Sequence, residues 1–132
     1  MATQPTTTIE RAEMLIENRW SRDAIITATG AITIKRGTLL ARQTSTQKLI
    51  PYVKGGTTDG DGNFVAVALE EHVFTGAGDA AARPSFQGDY RKHLLIIQAD
   101  GDATNIDDSV VDLMAARDCR ARDVEQTAKT DL

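Results

Sequence analysis

The residues best equipped for chemistry are the acidic loop DGDGN at positions 59–63, the histidines His72 and His93, the lone cysteine Cys119, and the tyrosines Tyr52 and Tyr90. Carboxylates at alternate positions can converge on calcium, and Glu70 falls twelfth counting from Asp59, where a calcium loop wants its last ligand. The sixth position is Phe64, where such a loop needs glycine, and FVAVAL reads on as a strand where a helix should begin. Residues 59–63 therefore read as a β-turn that uses glycine and aspartate for its backbone angles, as does Asp100-Gly101-Asp102. A metal or general-base role for either histidine needs a convergent partner, and no spacing supplies one. Asp118, Arg120 and Arg122 surround Cys119, and the arginines could lower its thiolate pKa; a half-buried structural thiol is the preferred reading. G-x-S-x-G, H-E-x-x-H, C-x-x-C and a phosphate-cradling glycine loop do not occur. The expectation is a protein without catalytic, metal or cofactor residues.

Composition points the same way. The chain has 132 residues, enough for one domain that buries about two-thirds of its unfolded surface. Aromatic residues make up 5%, so the core rests on Ile, Leu, Val and Ala, and a core of that kind gains from oligomerisation. The net charge is −4 and no basic run dominates, which argues against nucleic acid as a partner. One cysteine excludes an internal disulfide. The first residues do not read as a secretory signal, and no apolar run approaches the ~20 residues of a membrane span. A soluble protein made in a cytoplasm is expected, with no membrane partner.

The elements that must position these residues fall into zones. Residues 2–8 contain a proline and three consecutive threonines without apolar anchors and read as an extended arm. Residues 9–20 mix helix formers with apolar positions and can form a short helix, ordered on a partner. Trp20, the only tryptophan, serves as either a core or an interface anchor. The body, residues 24–98, reads as strands at 24–28, 32–34, 38–42, 48–53, 64–69 and 91–99, with loops at 54–63 and 76–84. Pro51 suggests an edge or a bulge. The near-continuous apolar character of FVAVAL suits a strand buried on both faces. From about 105 to 120 the period becomes helical, with Asn105, Asp107 and Asp108 as cap candidates and Val110, Val111, Leu113 and Met114 as the apolar face. The fold class expected is mainly β with small α elements: a barrel- or sandwich-like body, an extended N-terminal arm and a short C-terminal helix. The domain division is an arm at 1–22 and a β-rich body at 23–132.

The run GTLLARQTSTQKLIPYVKGGTTDG at 37–60, followed by FVAVAL at 64–69, resembles the lambda-like phage head decoration proteins. That family places a small apolar strand, a threonine/serine turn, a Lys-Leu strand, a Gly-Thr-Thr-Asp-Gly turn and an Ala/Val-rich strand in this order. Here the pieces are Thr38 to Leu40, Thr44 to Thr46, Lys48-Leu49, Gly56 to Gly60 and Ala66 to Leu69. The likeness covers about residues 30–98.

The resemblance implies a non-enzymatic capsid cement. It would act as a homotrimer on the outer surface of an expanded phage head, its partner the major capsid protein, holding the shell against genome pressure. It also implies an arm that orders on the shell. Thr6, Thr7, Thr8 and Ile9 have the β-propensity to add a strand to a capsid sheet, and Met14, Leu15, Ile16 and Trp20 would be apolar anchors. The helix-capable stretch at 9–20 and the C-terminal zone depart from the family pattern. Alternatives are a tail or head-completion component, or a trimeric nucleotide hydrolase in which Tyr52 and Tyr90 would help hold base and sugar.

Overall fold

A computed structural model of the chain describes residues 14–123. Those residues are mainly β, with a sheet curled into a half-barrel and a single α-helix among them. The strands are β1 (Leu15–Ser21), β2 (Ala24–Ala28), β3 (Ile32–Ile34), β4 (Leu39–Arg42), β5 (Leu49–Pro51), β6 (Phe64–Val67), β7 (His72–Phe74), β8 (Gly78–Ala82), β9 (Ser85–Arg91) and β10 (Cys119–Arg122). The helix α1 spans Asp108–Ala115. The main sheet runs β1-β9-β6-β4-β5-β2-β8, with β10 pairing in parallel on β9, while β3 and β7 form a separate two-stranded ribbon.

The centre of the sheet is covered on both sides. Leu39 and Ala41 of β4 point into one cluster with Phe64, Val67, Tyr90, Leu95, Val110 and Met114. Leu40 points to the other, with Ile26, Ile34, Leu49, Val65, Phe74 and Phe86. Alternating side chains thus feed two cores, one roofed by α1 and one by the β3–β7 ribbon. This explains why all four residues of β6 are buried, as its unbroken apolar run suggested. A register shift between Leu40 and Ala41 lets β6 use one extra residue there. Pro51 is not on an edge strand: β5 lies between β4 and β2. Its register pair with β2 is Ile26 with Leu49, so no ladder donor is needed from Pro51 on that side.

The Thr/Ser turn and the glycine-rich loop are laced together. The Asp59 carboxylate accepts from Ser45 N at 2.9 Å and Ser45 Oγ at 2.6 Å, and Asp61 Oδ1 accepts from Thr58 N at 3.1 Å. These carboxylates are thus engaged in holding the turn. Gly60 has φ +82°, and a Cβ there would stand 2.5 Å from the Arg42 carbonyl oxygen.

Several expected elements differ. Residues 15–20 are not helical: they form β1, antiparallel to β9 with three irregularities of register. A helix this short is marginal on its own, and β9 offers a backbone edge that a close approach at Gly88 makes reachable, since a Cβ there would lie 2.5 Å from the Glu17 oxygen. The boundary drawn after residue 22 is corrected accordingly, because Met14 to Ser21 belong to the body. Residues 78–82, read as loop, are the edge strand β8, its alanines being poor strand formers held by β2. The apolar run 91–99, read as a strand, is the end of β9 at Arg91, then a 3-10 turn (Lys92–Leu94) and isolated bridges at Ile96 and Ile97. Leu95 and Ile97 fill the core under α1, while the Ile96 backbone bonds Gly37 and Leu39. The helix begins at its anticipated cap, Asp107, which accepts from Ser109 N and Val110 N. It ends at Ala115, short of the expected 120, because Asp118 takes φ +61° and turns the chain into β10.

Candidate interaction surface

β1 is bound into the body by a buried carboxylate. Asp89 of β9 accepts from Arg19 Nη1 at 2.6 Å through one oxygen and from Arg122 Nε at 3.0 Å through the other. Arg19 also donates to the Asp118 carbonyl oxygen at 2.8 Å. One carboxylate therefore joins β1, β9 and β10. Burial pushes its pKa up, but the hydrogen bonds and charges of the two arginines outweigh that and hold it below the usual carboxylate range.

Beneath lies a second polar contact set. The Tyr90 hydroxyl is 2.6 Å from Ser85 Oγ and donates to Cys119 Sγ at 3.7 Å, while Cys119 Sγ donates to the Phe86 carbonyl oxygen at 3.2 Å. Cys119 is fully buried, more so than anticipated, and that burial pushes its thiol up. The arginines of β10 therefore do not activate it, and Arg122 is instead engaged by Asp89. Tyr52 is also buried, edge-on to Phe64 at 6.5 Å in the cluster beneath α1, with its phenol pushed up by burial. The Tyr90 hydroxyl is taken up inside the fold by Ser85 and Cys119, and Tyr52 stands far from it, edge-on to Phe64, so the two tyrosines do not share one site. Among the described residues, no group of three or more His, Cys, Asp or Glu is arranged to hold a metal ion.

The proposed arm residues fall into three sets. Thr6, Thr7, Thr8 and Ile9 lie outside the described residues. Met14 is buried in the core beneath α1 and Leu15 packs against the same cluster, so neither is available as an anchor for another protein. Ile16 and Trp20 remain exposed, Trp20 by 47%.

Trp20 leads to residues that the sequence did not single out. Its ring centroid is 5.6 Å from that of Phe86, tilted by 49°. The Arg22 guanidinium carbon lies 4.5 Å from the Phe86 centroid and 5.5 Å from that of Trp20, and Arg42 reaches to 5.9 Å from Phe86. The alternation of Phe86, Gly88 and Tyr90 was the available signal for β9, masked by the turn-like Gly-Asp pair inside it. Elsewhere a mostly apolar cleft of about 670 Å3 is lined by Ile32, Ile50, Tyr52 and Val53 among others.

Comparison of the chain with protein-family models and with curated proteins returns no match.

Proposed function

We propose that this chain is a phage head decoration protein, a non-enzymatic module that attaches to the major capsid protein on the outside of the expanded shell as a homotrimer. The observation that carries the reading is the ordered run at 37–60 and 64–69. In the fold those pieces are neighbours: β4, its Thr/Ser turn, β5, the Gly-Thr-Thr-Asp-Gly loop and β6 form one laced unit at the sheet centre. A second support is geometric. Among the described residues the outer edges of β1 and β8 carry no partner strand, leaving backbone donors and acceptors for association.

Because β1 belongs to the body, an arm, if used for attachment, is confined to residues before Met14. Removing residues 2–13 is expected to leave a folded protein that no longer co-sediments with expanded shells assembled from the cognate major capsid protein. The full chain should co-sediment, appear as protrusions at local three-fold positions by electron microscopy, and run as a trimer on the shell. Failure of the full chain to attach, or its localisation to a vertex or tail, overturns the reading.

A further inference from the structure

Seven arginines of this acidic chain fall into two groups. Arg19, Arg83, Arg120 and Arg122 each stand within 4 Å of a carboxylate, as do Lys48 and Lys54. Among the described residues, Arg22, Arg42 and Arg117 form no ion pair, yet they are neighbours. Burial, then the positive fields of Arg22 and Arg117, push the Arg42 guanidinium below its ordinary value. Arg42 shares the Phe86 ring with Arg22 and a cavity wall with Arg117, and like charges beside it without an ion-pair partner cost stability that an outside anion can repay.

Two of the three frame a groove. Arg42 and Arg117 line a cavity of about 310 Å3 between the end of β4 and the end of α1, with Gln43, Thr44, Asn63 and Leu113. Among the described residues no acidic side chain lines it. Arg22 extends the positive edge over Phe86 toward Trp20. Leu113 is 38% exposed although it lies on the helix's apolar side, so the groove combines cations, amide and hydroxyl hydrogen-bonding groups, and a bare aliphatic contact.

We propose that this groove binds an acidic peptide segment of a partner protein, a carboxylate resting between Arg42 and Arg117 and an adjoining apolar side chain on Leu113. Guanidinium groups take carboxylates in bidentate fashion, and the side chains of Gln43 and Asn63 can bond the peptide backbone. A nucleic-acid strand suits it less well, because the positive field is confined to one groove on a chain of net charge −4. The inference is independent of the decoration reading and is tested on the isolated chain.

The test is a titration of the full-length protein with an acetylated, amidated peptide alternating aspartate, glutamate and leucine, followed by amide chemical shifts and by Trp20 fluorescence. Saturable shifts are expected at Gln43, Asn63, Leu113 and Arg117, weakening as salt is added. Arg117 is exposed and unpaired, so Arg117→Gln should leave the unfolding transition in place while weakening the peptide by about tenfold, the loss of one charge-assisted contact. Arg42→Gln with Arg117→Gln should abolish the shifts. Absence of saturable shifts, shifts that survive the double substitution, inorganic phosphate binding as tightly as the peptide, or a thymidine oligonucleotide binding more tightly would each overturn the proposal.

Discussion

Two clusters of arginine lie on opposite terms with the rest of this protein. At the Asp89 clamp, Arg19 and Arg122 close on one buried carboxylate and hold three strands. At the groove, Arg42 and Arg117 line one cavity and Arg22 stands beside Arg42 over Phe86, and among the described residues none of the three forms an ion pair. The same side chain serves cohesion where a carboxylate of the fold answers its charge, and lines a groove where none does. The clamp should therefore report in stability and the groove in binding.

The largest effect is expected at the clamp. Asp89→Ala leaves Arg19 facing no buried carboxylate and should cost about 3 kcal/mol, seen as a lower midpoint in urea unfolding. A loss below about 1 kcal/mol would show that solvent replaces Asp89 easily, and the contrast would dissolve. The same carboxylate sets an acid limit. Its folded pKa is depressed, so its contribution is present above the unfolded value near pH 4 and is lost as pH falls through the lower folded value. Asp79, held by Lys48, and Asp107, held by Lys54, act in the same direction. Thermal unfolding should be flat from pH 7 to about 5 and fall below about 4, with a shallower fall in Asp89→Asn.

A smaller loss is expected beside the clamp. Gly88→Ala places a Cβ against the Glu17 oxygen, prying β1 from β9 at a cost of about 2 kcal/mol, and hydrogen exchange should quicken in β1 before it does in β4. The smallest stability change belongs to the groove, where Arg117→Gln should stay within about 0.5 kcal/mol while peptide affinity falls. If that substitution unfolds the protein, the division between the two clusters fails.

What was legible in the sequence follows the same physics. Strands whose apolar residues are dense, such as β2, β4 and β6, announced themselves, as did the Asp107 cap, because each signal is local. β1, β8 and β10 did not, since what holds them is a partner strand: LIENRWS and GDAAA carry no alternation, and CRAR looks like the end of a helix. The run HLLII misled in the other direction, its apolar residues serving core filling while its backbone bonds lie outside the main ladder. Of the interaction surface, Trp20 was visible as a lone aromatic. Asp89 and the groove arginines were not, because their meaning depends on which charges the fold brings together from β1, β4, β9, β10 and α1.

β9 receives β1 along one flank in antiparallel sense and β10 along the other in parallel sense, so that Leu15 stands opposite Tyr90 and Arg122 opposite Arg91. The chain therefore enters and leaves the described body at a common pole. A short linker between those two points with a new opening in the 54–63 loop should yield a circular permutant that keeps every ladder. Synthesis has a corresponding consequence: β9 waits with an open flank until β10 emerges, which makes completion of this sheet a late event in folding.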